Sequence, residues 1–183
     1  MISIIHILGA SGSGTTALAK AISDKWGYNH LDTDDFFWLP TNPPFTQKRE
    51  RTERQNLLKE ALKASEKSVI SGSMCGWGDI FIPHIDLTVY LLVPQDMRIN
   101  RLQQREYKRF EKRILKGGDM YKNHSEFIEW AKTYDTAGTD QRSKAQHEEW
   151  LKQLKCPIIR IENIYSLDYP LEQIEKITKD MAV

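Results

Sequence analysis

The sequence predicts an α/β fold in which a parallel five-stranded sheet carries helices on both faces. Short, nearly continuous apolar runs alternate with longer helix-like stretches along the 183 residues. This alternation is typical of parallel sheets whose strands are buried on both sides. The length is typical of one domain with one substantial core. We therefore expect a single domain over residues 1–183.

Five apolar runs define the expected strands, and the segments between them define the helices. Strands are predicted at residues 4–8, 28–31, 68–71, 87–93 and 157–161. Helices are predicted at residues 17–26, 48–65, 95–116, 125–133, 140–154 and 171–181, and Gly117-Gly118 is expected to end the third of them. Ligands of such sheets bind beyond the carboxyl ends of the strands. We therefore look for a site at that edge.

A glycine-rich segment follows the first predicted strand and opens the first predicted helix. It reads Gly9-Ala10-Ser11-Gly12-Ser13-Gly14-Thr15-Thr16. Glycines let the backbone adopt positive φ and present successive N–H groups to an anion. The following helix points its positive dipole end at the same place. The G-x-x-x-x-G spacing between a strand and a helix predicts a P-loop that binds phosphate through residues 9–16.

The end of this loop departs from the usual P-loop. Thr16 stands where the Mg²⁺-binding hydroxyl belongs and is predicted as a metal ligand. The lysine expected before that hydroxyl is replaced by Thr15, so the loop lacks the charge that normally reaches the β- and γ-phosphates.

Two other interpretations of the loop stay open. Residues 12–17 also match the G-x-G-x-x-A pattern of dinucleotide-binding proteins, and Asp32 follows the second strand at a distance suited to a ribose. The third interpretation is a tight turn that binds nothing.

Composition narrows the class of protein. The net charge of +1 gives no general indication of a nucleic-acid partner, and no apolar run approaches membrane-spanning length. Cys75 and Cys156 lie far apart without metal-type spacing, which fits reduced thiols. With Met1 leading directly into the first strand, we expect a soluble cytoplasmic protein. The sequence leaves its oligomeric state open.

Basic residues concentrate in one segment. Their simplest interpretation is a solvated helix face. The segment contains Arg98, Arg101, Arg105, Lys108, Arg109, Lys112, Arg113 and Lys116.

Together with the loop, segments 31–35, 71–79, 105–107, 117–121 and 147–150 carry a family resemblance. The sequence resembles the nucleotide-kinase-like group of P-loop proteins, which includes adenylate, cytidylate and shikimate kinases. It resembles still more a bacterial branch described as adenylate-kinase-related or topology-modulation-like. The resemblance implies a three-layer P-loop NTPase fold with a helical lid inserted at roughly residues 106–140. It also implies ATP and Mg²⁺ as cofactors.

The same resemblance implies roles for individual residues. Arg101 is expected to stack on the adenine, and Arg105 and Arg142 to contact phosphate from the lid region as catalytic charges. Asp34 is expected to contact the acceptor and to act as a general base. Asp32 is expected to hold Mg²⁺ or to cap the next turn. The simpler alternative is that both carboxylates only cap a helix starting near residue 35.

The acceptor stays open because the chain departs from the nucleoside-monophosphate kinases. The acid and the phosphate-binding arginine of their segment after the third strand are absent from residues 71–75. Two replacements are considered. One is an anion site of Arg49, Arg51 and Arg54, and the other is an aromatic pocket for an uncharged acceptor lined by Trp38, Phe45 and Trp77.

Three functions follow from these patterns. The first is an ATP- and Mg²⁺-dependent small-molecule phosphotransferase of unknown acceptor. The second is a nucleotide-binding regulatory protein without efficient turnover, which the missing lysine favours. The third is an NAD(P)-dependent oxidoreductase, which uses the dinucleotide interpretation of the loop.

Overall fold

A computed structural model describes residues 2–162 and 166–180 of the chain. Within them the strands β1–β5 are Ile4–Gly9, Asn29–Asp32, Ser68–Ser71, Leu87–Leu92 and Ile158–Glu162. The helices α1–α7 are Thr15–Trp26, Thr33–Phe37, Arg51–Lys63, Gln95–Phe110, Tyr121–Lys132, Lys144–Leu151 and Asp168–Asp180. Short 3₁₀ helices cover Asp79–His84, Glu111–Ile114 and Thr133–Asp135.

The sheet is parallel throughout and has the order β2-β3-β1-β4-β5. In register, Ile5 of β1 lies opposite Val69 of β3 and Leu87 of β4. A dinucleotide-binding sheet places its second strand directly beside the first, with the ribose-binding acid at its end. Here β3 separates β2 from β1. The dinucleotide interpretation, and the oxidoreductase based on it, is therefore wrong.

Helices cover both faces of the sheet, as expected. Ile5 and Ile7 of β1 point to one face and belong to a buried cluster with Leu18 of α1 and Ile174 of α7. Leu8 points to the opposite face, in a cluster with residues of α3 and α6. The alternation along β1 thus supplies both hydrophobic layers. None of the helices in residues 2–162 and 166–180 is long and apolar enough to cross a membrane.

Several helix ends differ from the predicted ones, and local hydrogen bonds and turns account for three of these differences. α3 begins at residue 51, not 48, because a short hairpin precedes it. In this hairpin the backbone N–H of Leu39 donates to Gln47 and that of Arg49 donates to Phe37. α4 ends at Phe110, before the Gly117-Gly118 pair, and Glu111 follows with a φ of 49°. α6 begins at residue 144, not 140, and is capped by a preceding serine. Residue 181, the predicted end of the last helix, lies outside the described residues.

His6 is a titratable residue in the middle of the sheet. It is fully buried, and its Nε2 lies 2.8 Å from the carbonyl oxygen of Gly72. Burial lowers the pKa of His6 to about 4, while the bond to Gly72 opposes this shift. The ring is therefore neutral near pH 7 and donates Nε2–H to the carbonyl oxygen.

We predict that His6 makes the fold less stable in mild acid. The unfolded chain binds a proton on this histidine below pH 6.5, whereas the folded chain does so only near pH 4. The free energy of unfolding should fall across that window by about 1.4 kcal/mol per pH unit. His6→Gln keeps an N–H donor but does not titrate, so urea unfolding at pH 7 and pH 5 should show a weaker pH dependence. The exposed His84→Gln is the control. A variant at position 6 with the parent's pH dependence would contradict the assignment.

Candidate active site

The glycine loop spans residues 9–14, between the end of β1 and the start of α1. Gly12 and Gly14 have φ values of 82° and 100°, in the left-handed region that favours glycine. The backbone N–H of Ser13 donates to the carbonyl oxygen of Ala10 at 3.0 Å and closes the turn. The loop has the conformation that the glycine spacing predicts.

The two glycines face different surroundings. A Cβ on Gly12 would lie 2.6 Å from the backbone oxygen of Arg98, because α4 packs directly against the loop. A Cβ on Gly14 would meet nothing within 4 Å. Gly14 therefore borders open space at the N-terminus of α1.

That N-terminus suits an anion. α1, which lies wholly within the described residues, has no acidic side chain in its first turn and no side-chain hydrogen bond at its N-cap. Its first N–H groups and the positive end of its dipole face the open space beside Gly14. Phosphate groups bind at helix ends of this kind. The loop therefore fits the phosphates of a nucleotide.

A hydrogen bond joins the first turn of α1 to the carboxylate at the end of β2. The Thr16 hydroxyl donates to Oδ2 of Asp32 at 2.9 Å. Oδ1 of the same carboxylate accepts the backbone N–H of Asp34 at 3.1 Å and caps α2. Asp32 therefore does cap the next turn, but Asp34 does not act as a cap.

The Thr16–Asp32 pair also offers oxygen ligands of the kind that Mg²⁺ prefers. Because the threonine hydroxyl gives its hydrogen to the carboxylate, its lone pairs stay available to a cation. Among the described residues, no group of three or more His, Cys, Asp or Glu side chains could hold a metal by itself. Mg²⁺ usually takes only one or two carboxylates, together with water and substrate phosphates, so the pair fits it.

Asp34 lies at the centre of the predicted catalytic group. Asp34 is exposed at the surface, and desolvation by the surrounding protein is the largest cause of its raised pKa. The negative charge of Asp32 raises the pKa of Asp34 further, whereas Arg142, a hydrogen bond from Trp38, and Arg105 act in the opposite direction. The fold thus brings Asp34, Arg105 and Arg142 into one electrostatic neighbourhood from three separate segments.

The two arginines are held differently. The Arg142 guanidinium lies 5.6 Å from the ring centroid of Trp130. The side chain of Arg105 is half exposed, and its nearest ionic partner is the adjacent Glu106, at 3.3 Å.

Burial raises the pKa of the nearby Cys75 to about 11, so its thiol is protonated at neutral pH and is not a nucleophile.

The basic helix α4 has one face against the loop and the protein interior. Nη1 of Arg101 approaches the carbonyl oxygen of Ser13 at 3.5 Å, which places Arg101 beside the glycine loop. Arg98 is buried, donates to the carbonyl oxygen of Val93 at 2.8 Å and pairs with Asp135.

The interpretation of the whole basic segment as a solvated face is therefore wrong for Arg98. The signal that could have identified it is the four-residue spacing of the buried positions on α4. Four of the five buried positions follow this spacing, namely Arg98, Leu102, Glu106 and Phe110, and the fifth is Ile99.

Two of the three arginines considered for an anion site on the acceptor side are held by the protein itself, whereas the third, Arg51, is exposed. Arg49 donates to the carbonyl oxygen of Phe36 and pairs with Glu53. Arg54 donates to the carbonyl oxygen of Arg49 and lies 3.9 Å from the ring centroid of Phe37. Both guanidinium groups are therefore occupied in holding the hairpin and α3.

The predicted aromatic pocket is only partly assembled. Trp77 is 3% exposed and donates to the carbonyl oxygen of Ser73, so it belongs to the core. Trp38 and Phe45 do lie together, with ring centroids 6.1 Å apart. The prediction of a pocket lined by all three aromatic residues is therefore wrong.

A comparison with known families identifies the family to which the chain belongs. A family model described as an AAA domain matches residues 5–129. The chain belongs to this P-loop, nucleotide-kinase-like family. The resemblance inferred from the loop and its accompanying segments is confirmed.

Individual relatives agree with this membership. Uncharacterized protein YqaC of Bacillus subtilis is 45% identical over 170 residues, which cover 93% of this chain and 94% of the relative. A cytidylate kinase of Archaeoglobus fulgidus is 27% identical over 120 residues, which cover 57% of this chain and 62% of the relative.

Solved structures show the same fold at low identity. A shikimate kinase from Bacteroides thetaiotaomicron matches with a TM-score of 0.59 and 18% identity over 98% of this chain and 99% of its own. A gluconokinase from Sinorhizobium meliloti matches with a TM-score of 0.54 and 15% identity over 98% of this chain and 95% of its own.

We predict that the two loop glycines differ in what they contribute to stability. Gly12→Ala should lower the free energy of unfolding by on the order of 2 kcal/mol more than Gly14→Ala, because its Cβ would overpack against the backbone of α4. Both variants carry the strain of a positive φ, which makes Gly14→Ala the matched control. The measurement is urea unfolding of both proteins without ligand. Equal losses would contradict the close packing of α4 on the loop.

Proposed function

We propose that the protein transfers the γ-phosphoryl group of ATP to a small-molecule acceptor with the help of Mg²⁺. The observation that carries this proposal is the hydrogen bond between Thr16 and Asp32. It joins an anion-binding loop to a pair of carboxylates at the carboxyl edge of the sheet. Phosphoryl transfer needs nucleotide, metal and acceptor to meet at one such place.

The nucleotide would bind along the glycine loop. The backbone N–H groups of residues 10–16 and the open space beside Gly14 would receive the phosphates. Arg101, which already approaches the loop, would stack on the adenine. Thr16 and Asp32 would hold the metal.

Arginine side chains would supply the positive charge that Thr15 does not. Arg105 and Arg142 lie close enough to the site to affect the ionisation of Asp34. Guanidinium groups are permanently charged and bind phosphate through two parallel hydrogen bonds. We assign to both arginines the stabilisation of charge on the transferred group, the interaction that strengthens in the transition state.

Asp34 would act on the acceptor. Bound Mg·ATP supplies the electrophilic phosphoryl group and a partly neutralised leaving group. The Asp34 carboxylate orients the acceptor hydroxyl and takes its proton as the new O–P bond forms and the bond to the leaving oxygen breaks. Its raised pKa makes it a stronger proton acceptor than an ordinary aspartate.

The acceptor side offers both aromatic and charged groups. Of the three arginines considered for binding an acceptor phosphate, Arg49 and Arg54 are occupied by backbone carbonyl oxygens and by Glu53, whereas Arg51 is exposed. Trp38 and Phe45 lie together, and the Arg109 guanidinium lies 5.4 Å from the ring centroid of Phe45. We therefore keep nucleosides, polyols and nucleoside monophosphates as acceptor classes to be compared.

A nucleotide-binding regulator is the second candidate, and Thr15 is the observation that favours it. Such a protein would bind ATP or GTP in the same loop without efficient transfer. The two candidate functions differ in whether the bound nucleotide's phosphate is transferred to an acceptor. A parent protein that binds Mg·ATP tightly but transfers phosphate to no acceptor in a broad screen would favour the regulator.

We predict that Thr16 acts through Mg²⁺. Thr16→Ala should weaken ATP binding markedly in the presence of Mg²⁺ and only slightly in its absence, because the lost group is a metal ligand. Calorimetric titration with ATP, with and without Mg²⁺, measures both affinities. Thr15→Ala, which removes a hydroxyl from the same turn, is the control and should behave like the parent. If the parent shows no binding of ATP under either condition, the proposed function is wrong.

Asp34 should matter for transfer and not for nucleotide binding. Asp34→Asn is expected to bind Mg·ATP nearly as the parent does and to lose on the order of 10²- to 10⁴-fold in transfer rate, as for a lost general base. The rates are measured with the best acceptor from a screen of nucleosides, nucleoside monophosphates and polyols. Asp35→Asn, on the same short helix, is the control. Loss of nucleotide binding in a folded Asp34→Asn protein would place Asp34 in the Mg·ATP site instead.

A further inference from the structure

We infer that a buried hydrogen-bonded chain from Tyr90 through Tyr134 and His147 to Ser73 fixes Arg142 in the site. Tyr134 and His147 are then positioning residues for phosphate binding. This inference rests on the proposed function, because it assumes that Arg142 contacts the triphosphate.

The hydrogen-bonded chain runs from Tyr90 on β4 to residues 134 and 147 and then to Ser73, just after β3. The hydroxyl oxygens of Tyr90 and Tyr134 are 2.9 Å apart, and the Tyr134 hydroxyl lies 2.7 Å from Nδ1 of His147. Nε2 of His147 lies 3.1 Å from the hydroxyl of Ser73. The four residues are between 0% and 6% exposed. Buried polar networks of this kind are costly to break, so they fix the segments that carry them.

The His147 ring is neutral within this hydrogen-bonded chain. Burial and the nearby charge of Arg142 lower the pKa of His147 to about 3. A neutral imidazole has one N–H donor and one acceptor nitrogen, so His147 can hydrogen-bond on both sides, to the Tyr134 hydroxyl at Nδ1 and to the Ser73 hydroxyl at Nε2.

Arg142 lies inside the loop that this chain closes. The Tyr134–His147 bond joins the ends of residues 134–147, and Arg142 stands one residue before the N-cap of α6.

Further bonds stiffen the same loop from within. The Ser143 hydroxyl donates to the carbonyl oxygen of Gly138 at 2.6 Å and accepts the backbone N–H of Gln146 at 2.9 Å. The side chain of Gln141 donates to the hydroxyl of Thr133 at 3.2 Å. The backbone that carries Arg142 is thus held on both sides of the arginine.

A comparison of Arg142 with Arg105 shows how the hydrogen-bonded chain affects the position of an arginine. Arg105 projects from α4 into solvent and pairs with its neighbour in sequence. Arg142 is anchored to β4 through Tyr90 and to the end of β3 through Ser73. A cation already in place loses less conformational freedom when it binds phosphate. Arg142 is therefore the pre-positioned charge of the site, and the tyrosine–histidine chain is what positions it.

The test is a double-mutant cycle on the affinity for Mg·ATP, measured by calorimetric titration. Tyr134→Phe removes the central hydroxyl, and Arg142→Gln removes the charge. In the parent background, Tyr134→Phe should weaken binding roughly tenfold, within the range that coupled residues show. In the Arg142→Gln background it should have little further effect, because the group it positions is gone.

Tyr28→Phe is the matched control. It removes another buried tyrosine hydroxyl, which bonds the carbonyl oxygen of Ile2 at 2.7 Å, away from the site. It should leave the affinity for Mg·ATP unchanged. If Tyr134→Phe fails to fold, Tyr90→Phe removes only the end of the hydrogen-bonded chain. It should weaken Mg·ATP binding less than tenfold in the parent background and have little effect in the Arg142→Gln background.

Three results would overturn the inference. One is an equal loss of affinity from Tyr134→Phe with and without Arg142, and another is an equal loss from Tyr28→Phe. A third is an Arg142→Gln protein that binds Mg·ATP like the parent. That result would show that Arg142 does not contribute to nucleotide binding, and it would leave the proposed role of the glycine loop unchanged. If the parent protein binds no ATP, the proposed function falls and this inference falls with it.

Discussion

The backbone of α4 rests directly on the glycine loop, and much of the site depends on this close contact. It is possible because Gly12 carries no side chain: a Cβ there would stand 2.6 Å from the carbonyl oxygen of Arg98. With the helix held at that distance, Arg98 turns inward to Val93 and Asp135, and Arg101 reaches the backbone of the loop. Arg105, one turn further along, lies close enough to Asp34 to lower its pKa. One missing side chain thus sets the positions of successive arginines around the phosphate-binding region.

The distribution of positive charge distinguishes this site from the usual P-loop. A lysine in the loop is a compact charge on a flexible stem, whereas the charges here come from outside the loop on planar guanidinium groups. Their surroundings also differ, since Arg142 lies on a loop closed by buried hydrogen bonds and Arg105 lies on a solvent-facing helix surface. In the proposed function, Arg142 would be the pre-positioned cation and Arg105 the cation that adjusts as ligands enter.

Features that depend on local sequence were predictable, and features that depend on distant contacts were not. The glycine spacing, the apolar strands and the placement of Asp32 and Asp34 after β2 are local patterns, and they gave the fold and the loop correctly. The end of α4 at residue 110 depends on how the chain turns at Glu111, which no local signal marks. The burial of Arg98 and the backbone partners of Arg49 and Arg54 depend on segments that are remote or irregular. Exposed and buried arginines look alike in a sequence unless the helical spacing of their neighbours is examined.

The carboxyl group of Asp32 serves two segments at once. One oxygen receives the hydroxyl hydrogen of Thr16, and the other receives the backbone N–H of Asp34. A carboxyl group is planar, so displacement of one oxygen also displaces the other. The start of α1 and the start of α2 are therefore linked through a single side chain. In the proposed reaction, a nucleotide that displaces the Thr16 hydroxyl would also act on the backbone at Asp34, where the acceptor is proposed to bind.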